Sequence, residues 1–265
     1  MGRRRGGREE SIEAEIDTGT ARLEPVPGEP DSWILYVNAV PSSPITASDP
    51  QRLDFEYLDW MGRVIDAAFP AGQALRAAHI GAAACALPRW LDARRPGSRQ
   101  TAIDIDARLL ELVREWFELP RAPALRLRPG DGAHEITTFR PASLDLVVRD
   151  AFAGDATPET LADEAFFTAS AAALRPSGLL LANVADRPPH SALRAEIARL
   201  RAVFAHVALV ADPGQVRGRR WGNVVAVASA GPIDTLGSAK ALRRGPAVAT
   251  VLSGAQLDRY LGIAD

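Results

Sequence analysis

The feature that most constrains the fold of this chain is a regular alternation of apolar strand-like segments and amphipathic helical segments between residues 74 and 229. Seven segments have the composition of buried strands: ALRAAHI, RQTAIDI, ALRLRPGDG, SLDLVVRD, LLLANV, HVALVA and GNVVAVAS. Helical patterns of about 10 to 18 residues separate most of them. This alternation predicts a doubly wound, Rossmann-like α/β fold, in which one mainly parallel sheet of seven strands carries helices on both faces.

Local start and stop signals mark several of the helices. Asp106 precedes the apolar stripe of ARLLELVREWF and is predicted to cap that helix. A second helix is predicted over residues 157–178, with Thr157 as its cap. Pro176 and Gly178 are predicted to end it, because proline and glycine commonly follow the last helical turn.

The first 50 residues have a different character. The charged start MGRRRGGREE predicts a disordered basic tail over residues 1–10. Residues 11–50 contain the alternating segments IEAEIDTGTARLEPV and SWILYVNAV, which predict a small antiparallel β module, and PSSPITASDP is predicted to be a loop. We therefore expect a catalytic domain over residues 51–230 and a C-terminal extension over residues 231–265.

Composition restricts the class of protein. No uncharged apolar run of about 18 residues is present, and no apolar segment follows the charged start, so we expect neither a membrane partner nor secretion. The net charge of −2 predicts no specific nucleic-acid partner, and the single cysteine fits a cytoplasmic location. The histidines show no metal-ligand spacing, so we expect no metal. They are His79, His134, His190 and His206.

Acidic residues follow the predicted strands at the edge where open α/β sheets bind ligands. Gly81 follows the first strand and opens a helix whose amides can face a ligand. Asp104 lies about 20 residues after Gly81, which is the usual spacing for an acid that holds ribose hydroxyls. Asp131 follows the third strand and Asp150 ends the fourth, whereas Asp106 fits helix capping better than ligand binding. These positions predict a ligand site at the edge of the sheet.

The loop HIGAAACALP indicates the kind of ligand. It lacks the G-x-G-x-x-G spacing, and its alanines, Ala82, Ala83 and Ala84, do not readily adopt positive φ. Their β-carbons also limit the approach of a pyrophosphate. An acid-rich site without a nearby lysine or arginine suits a cationic nucleoside better, such as S-adenosylmethionine or its decarboxylated form.

Five motifs, from about Trp33 to Ser229, resemble those of the spermidine synthase (polyamine aminopropyltransferase) family in order and spacing. They are YVNAVPSS with LDFEYLDWM, HIGAAACALPRWL, AIDID, RPGDGAHEI and LDLVVRDAFAGDATPETL. The chain is similar to a divergent, spermidine synthase-like branch. The resemblance implies a sheet of methyltransferase type, a small-molecule amine substrate, decarboxylated S-adenosylmethionine or S-adenosylmethionine as co-substrate, and a homodimer that the β module helps to build.

The resemblance also implies roles for individual residues. Asp104 would hold the ribose hydroxyls, and Asp131 would accept a hydrogen bond from the adenine amino group. Asp150 would be the catalytic acid that orients and deprotonates the attacking amine. Tyr57 and Asp155 would lie in the amine pocket. The further cofactor-binding residues that it implies are Gly81, Ala82, Ile105, Gly132, Ala151 and Asp150 itself.

Departures from the family pattern leave three hypotheses open. Ala153 stands where the family has a second acid, and Leu58 where it has a polar residue. The first hypothesis is an aminopropyltransferase that converts a diamine such as putrescine to spermidine. The second is an S-adenosylmethionine-dependent methyltransferase with an unknown acceptor. The third is a non-catalytic nucleoside-binding or scaffold homologue.

Other chemically reactive residues are expected to have structural roles. Cys85 is expected to be a buried thiol rather than a stabilised thiolate. Arg217, Arg219 and Arg220 are expected to form a solvated turn rather than contact a phosphate or carboxylate, and Trp221 is expected to pack beside that turn.

Overall fold

The computed structural model describes residues 10–154, 156–233, 242, 245 and 247–262. This part of the chain forms two sheets. The basic tail predicted for residues 1–10 lies outside the described residues except for its last residue. None of the helices in the described part is long and apolar enough to span a bilayer.

The N-terminal sheet is antiparallel, and its strands follow one another in chain order: β1 (Ile12–Ile16), β2 (Gly19–Pro25), β3 (Ser32–Val37) and β4 (Val40–Thr46). Strand β4 contradicts the predicted loop. It pairs with β3 from Val40 to Thr46 and buries Ile45. Prolines are tolerated on an edge strand because their missing amides need not join the ladder, so Pro41 and Pro44 do not exclude a strand here.

The strands of the second sheet, as far as the chain is described, are β5 (Arg76–Ile80), β6 (Arg99–Asp104), β7 (Leu125–Pro129), β8 (Leu144–Arg149), β9 (Leu174–Asp186), β10 (His206–Ala211), β11 (Gly222–Ser229) and β12 (Thr250–Ser253). Their spatial order is β12-β10-β11-β9-β8-β5-β6-β7. Strands β5 to β9 pair in parallel, whereas β10, β11 and β12 join through antiparallel pairs. The mainly parallel sheet is confirmed, with β12 added to the seven predicted strands.

Helices cover both faces of this sheet. In the described part they are α1 (Glu56–Ala68), α2 (Ala86–Arg94), α3 (Ala107–Trp116), α4 (Gly132–Glu135), α5 (Glu164–Ala173), α6 (Ser191–Val203), α7 (Pro213–Val216) and α8 (Gly254–Leu261). One apolar cluster joins Met61 of α1 to Val148 of β8, and the other joins Ile197 of α6 to Val147. Neighbouring residues of β8 thus enter opposite cores, as the doubly wound fold requires.

The helix predicted over residues 157–178 is shorter in the structure. Helix α5 is capped by Asp163, whose carboxylate accepts a hydrogen bond of 2.8 Å from the Phe166 amide, and not by Thr157. The helix ends at Ala173, and β9 begins at the next residue. Pro176 and Gly178 therefore lie inside a strand, because pairing with β8 starts before these local stop signals.

Asp106 joins the two sheets. Its carboxylate caps α3 through the Leu109 amide (2.7 Å), which confirms the predicted cap. It also accepts hydrogen bonds from the amides of Asp17 (3.2 Å) and Thr18 (2.7 Å) in the turn between β1 and β2, and from the Thr18 hydroxyl. Although burial opposes ionisation, the hydrogen bonds from Thr18 and Leu109 lower the pKa of Asp106.

We expect Asp106→Ala to lower the free energy of unfolding by about 1 to 2 kcal/mol at pH 7. A carboxyl whose pKa is lowered by folding stabilises the protein above its unfolded pKa of about 3.9, and this contribution is lost as the pH falls through the folded pKa. Urea unfolding at neutral pH and below about pH 3 measures the difference. Glu111→Ala on the exposed side of α3 is the control. If the wild type and Asp106→Ala differed by the same free energy of unfolding at both pH values, the proposed role of the ionised carboxylate would be contradicted.

Candidate functional site

The candidate site lies where the strand order reverses. Strand β5 is in the middle of the sheet; the chain passes outward through β6 and β7 and then returns to β8 on the other side of β5. Gly81 follows β5, Asp104 ends β6 and Asp150 follows β8. Their proximity is expected, because the carboxyl ends of parallel strands meet at one edge and form a crevice at the switch point.

Gly81 is the point of closest approach between two of these segments. Its amide donates to the Ile103 carbonyl (2.8 Å), and the Asp150 amide donates to the Ile80 carbonyl (2.8 Å). Gly81 has a φ of +89°, and a β-carbon built on it would lie 2.1 Å from the Asp150 carbonyl oxygen. The glycine is therefore required by backbone contact within the protein itself.

The residues after Gly81 depart from the expected conformation. Ala83 has a φ of 38° and Cys85 a φ of 58°, so the expectation that the alanines avoid positive φ is wrong at Ala83. Ala84 and Cys85 are fully buried, and the Cys85 amide donates to the Ala82 carbonyl (2.7 Å). These contacts offset a strain of about 1 to 2 kcal/mol for each left-handed residue.

The expected buried thiol is confirmed at Cys85, where burial raises the pKa to about 12. His79 is also buried, and its Nε2 lies 3.0 Å from the Gln100 side-chain oxygen. Burial lowers the pKa of His79 to about 4, so this ring is neutral at pH 7. Within the described residues, no three His, Cys, Asp or Glu side chains are grouped so that they could hold a metal ion.

Asp104 is fixed by backbone amides. Its Oδ2 accepts from Ala82 (3.0 Å) and its Oδ1 from Asp106 (3.0 Å). Burial raises the pKa of Asp104, and these hydrogen bonds oppose the rise. The next residue, Ile105, has 67% of its surface exposed. The edge after β6 thus combines an oriented carboxylate with an apolar surface open to a ligand.

Asp131 stands at the start of α4, beside the end of β5. Its Oδ1 accepts from the Ala133 amide (2.8 Å), and the residue is exposed. A β-carbon on Gly132 would lie 2.3 Å from a side-chain carbon of Ile80, so α4 packs directly against β5. The contact brings Asp131 to the same edge as Gly81.

Asp150 is held through both carboxylate oxygens. The Tyr57 hydroxyl of α1 donates to Oδ2 (3.0 Å), and the side-chain amide of Asn183 in β9 donates to Oδ1 (2.8 Å). Burial raises the pKa of Asp150, and the hydrogen bonds from Asn183 and Tyr57 oppose the rise. Burial and the nearby Asp150 charge raise the pKa of Tyr57, so its hydroxyl remains a donor at neutral pH. The result is an oriented carboxylate that can accept a proton.

Two cavities differ in their relation to these residues. A cavity of about 20 Å³ touches Gly81, Leu58 and Asp150, and this is the space of about one water. A cavity of about 190 Å³ between α1 and α2 contains none of the predicted site residues. A nucleoside at the predicted site would therefore lie across the open edge of the sheet.

The structure brings together most of the predicted side chains but not all. Asp155 lies outside the described residues, so its place in the amine pocket stays a prediction. Leu58 is buried, and the Ala153 amide donates to the Ala156 carbonyl (2.8 Å). Ala151 is half-buried beside Asp150. Sequence reasoning did not assign Asn183 to the site, although a polar amide within an apolar strand is a usable signal.

The arginine-rich turn is exposed, as expected, from Arg217 to Arg220. Arg220 nevertheless pairs with Glu56 of α1 (3.0 Å), so the turn makes a carboxylate contact that was not expected. Trp221 is 66% exposed, and the guanidinium carbon of Arg187 lies over its indole, 5.7 Å from the centre of the Trp221 ring. The expectation that Trp221 packs beside the turn stays a prediction.

No protein-family model matches this chain. A segment of 105 residues is 33% identical to the polyamine aminopropyltransferase of Neisseria meningitidis serogroup B. A segment of the same length is 30% identical to the polyamine aminopropyltransferase of Chromobacterium violaceum. Each match covers 39% of this chain and 40% of the relative, so the chain matches less than half the length of these curated relatives.

Solved structures match over a greater length. A probable spermidine synthase from Corynebacterium glutamicum is 33% identical, with 96% of this chain and 94% of that chain covered and a TM-score of 0.89. The spermidine synthase of Thermotoga maritima is 15% identical, with 95% and 87% covered and a TM-score of 0.69. Human methyltransferase-like protein 13 is 20% identical, with 71% and 88% covered and a TM-score of 0.54. These last two show the fold alone.

The sheet order and the likeness to these structures define an α/β fold of the methyltransferase type. Within this class, the full-length match is to a probable spermidine synthase. The chain belongs to the spermidine synthase family.

Proposed function

We propose that this protein is an aminopropyltransferase, which moves the aminopropyl group of decarboxylated S-adenosylmethionine to a diamine such as putrescine. The observation that carries the proposal is the Asp150 carboxylate, held by Tyr57 and Asn183 at the switch point of the sheet. The names of the curated relatives, polyamine aminopropyltransferases, support the same activity.

The geometry suits Asp150 for the role of base. An amine attacks carbon only through a free electron pair, yet alkyl amines are mostly protonated at pH 7. The Asp150 carboxylate binds the cation, orients it and accepts its proton. The nitrogen then forms a bond to the carbon next to the sulfonium, and the carbon–sulfur electron pair leaves on sulfur. The products are the extended amine, neutral methylthioadenosine and a proton.

We further propose that the edge around Gly81 holds the nucleoside. Asp104 would accept hydrogen bonds from ribose hydroxyls, and a free lone pair on each carboxylate oxygen beyond its backbone bond supports this role. The exposed Ile105 offers a surface for the adenine, and the exposed Asp131 an acceptor for its amino group. We also assign Ala82, Gly132 and Ala151 to this nucleoside site.

Titration calorimetry with both nucleosides tests the function. Preference for decarboxylated S-adenosylmethionine, with methylthioadenosine released when putrescine is added, is the expected result. Preference for S-adenosylmethionine would favour the methyltransferase hypothesis. Binding of neither nucleoside would point to a non-catalytic homologue and overturn the proposal.

Our proposal for the biological unit is a cytoplasmic homodimer. Its organisation would comprise the β module over 11–50, the catalytic domain over 51–230 and the extension over 231–265. The antiparallel sheet β1 to β4, which is separate from the parallel sheet, supports the first of these units. Light scattering after size exclusion measures the mass, and a value near that of the 28.3 kDa monomer would contradict the dimer.

We expect Tyr57→Phe to lower kcat/KM for aminopropyl transfer by about tenfold, the effect of one lost hydrogen bond to a charged group. The Tyr57 hydroxyl lowers the pKa of Asp150, so its removal raises that pKa. The acid limb of the kcat/KM profile should therefore move to higher pH. Tyr36→Phe in the N-terminal sheet is the matched control. An acid limb that stays in place would contradict this role of Tyr57.

A further inference from the structure

Arg149 is a charged side chain without solvent exposure directly behind the candidate site. It ends β8, immediately before Asp150, and is 0% exposed. Its Nη2 donates to the carboxylate of Glu196 in α6 (2.7 Å) and to the backbone carbonyl of Asn183 in β9 (2.9 Å). Its Nε and Nη1 are buried and have no hydrogen-bond partner among the described residues. A buried guanidinium that is satisfied only in part lowers stability, so its presence calls for a functional explanation.

Asn183 connects this buried cation to the candidate base. Its backbone carbonyl accepts from Arg149, and its side-chain amide donates to the Asp150 carboxylate (2.8 Å). Asn183 is 1% exposed, so neither bond has water as a ready substitute. The guanidinium and the carboxylate are thus linked through one residue, so a shift of the first should displace the second.

The charges of Arg149 and Glu196 also affect the ionisation of Asp150. The positive charge of Arg149 favours the ionised form of Asp150. The negative charge of Glu196 offsets part of that field, because it lies on the same guanidinium. Buried charges are weakly screened, so a change in either Arg149 or Glu196 should shift the pKa of the Asp150 carboxyl.

We propose that Arg149 and Glu196 are positioning residues, which hold Asp150 through Asn183 and set how readily its carboxylate takes up a proton. The inference rests on the proposed function for its catalytic meaning, but the position and charge of Asp150 can be measured without turnover. Arg149 orients the base Asp150, and Glu196 of α6 keeps the Arg149 guanidinium in place.

The other groups that face this network are few and distinct. Tyr57 from α1 donates to Asp150 and remains protonated. His79 from β5 lines the same small cavity as Asp150 and stays neutral at pH 7, because burial lowers its pKa to about 4. The positive charge of Arg199 in α6 favours the ionised form of Glu196, and Arg199 also donates a hydrogen bond to a backbone carbonyl. None of them is altered by the changes below.

Carbon-13 NMR of the aspartate carboxyls provides the test, with the Asp150 signal assigned by its loss in Asp150→Asn. Arg149→Met removes the positive charge, so Asp150 should titrate at higher pH than in the wild type. Glu196→Gln leaves the guanidinium with less compensation, so Asp150 should titrate at lower pH. The acid limb of the kcat/KM profile should move in the same two directions, and Arg149→Met should lower kcat/KM by about tenfold to a hundredfold through misplacement of the base.

Arg95→Met is the matched control, because Arg95 is also 0% exposed and pairs with a carboxylate, that of Asp66. It should destabilise the protein without moving the Asp150 titration. Shifts of the same sign in Arg149→Met and Glu196→Gln, or no shift in either, would overturn the proposal. If Arg149→Met does not fold, the isosteric Glu196→Gln decides by the sign of its shift. Absence of aminopropyl transfer in the wild type would instead refute the proposed function, and the NMR result would still decide the coupling.

Discussion

Asp150→Asn is expected to lower the rate of aminopropyl transfer by about three orders of magnitude, within the range for loss of a general base. The amide neither accepts the amine proton nor attracts the cationic amine. The size and shape of the side chain are kept, and the Gly81 contact involves only the Asp150 backbone. Affinity for the nucleoside should therefore change by less than about threefold, because the other residues proposed to hold it are untouched.

Methylthioadenosine release and titration calorimetry together measure this separation of turnover from binding. Glu111→Gln, the same chemical change on the exposed side of α3, should leave both quantities as they are. Unchanged turnover in Asp150→Asn would refute the assignment of the base. A parallel loss of nucleoside affinity would show that Asp150 acts mainly in binding.

Gly81→Ala is expected to lower the free energy of unfolding by about 3 kcal/mol. Two costs combine at this position. The backbone has a φ of +89°, which is unfavourable for alanine, and the added β-carbon would lie 2.1 Å from the Asp150 carbonyl oxygen. Relief of that contact requires the segment after β8 to move, so aminopropyl transfer should fall together with stability.

Gly72→Ala separates the two costs. Gly72 has a φ of +71°, but nothing lies within 4 Å of the position of a β-carbon. It should therefore show the strain alone, about 1 kcal/mol, and keep its activity. Urea unfolding of both variants gives the difference. Equal losses of stability in the two variants would show that the Asp150 contact is of no consequence.

Much of the fold was predictable because periodicity and strand-end residues are local signals. The alternation of strands and helices led to the mainly parallel sheet, and Asp106 was identified as a cap from its place before an apolar stripe. Strand β4 was missed because Pro41 and Pro44 indicate a loop unless the strand is known to be at an edge. The start of β9 was missed because Pro176 resembles a helix stop, whereas pairing with β8 decides the conformation.

The site was predictable to the extent that it follows from topology. The carboxyl ends of parallel strands lie at one edge of the sheet, so the proximity of Asp104 and Asp150 could be predicted from the sequence alone. The partners of Asp150 could not be identified in this way. Asn183 is 33 residues away in sequence, and Arg149 meets Glu196 only because α6 packs behind β9. Such contacts depend on side-chain directions in three dimensions, which periodicity does not encode.

The left-handed residues Ala83 and Cys85 have a consequence for ligand affinity. An alanine has fewer backbone states than a glycine in the unfolded chain, so a loop built with alanine loses less conformational entropy when it becomes ordered. Ala82, Ala84 and Cys85 are buried, so packing favours one shape of the loop before any ligand arrives. A nucleoside that binds against it would not have to order the loop, and more of the contact energy would remain as affinity.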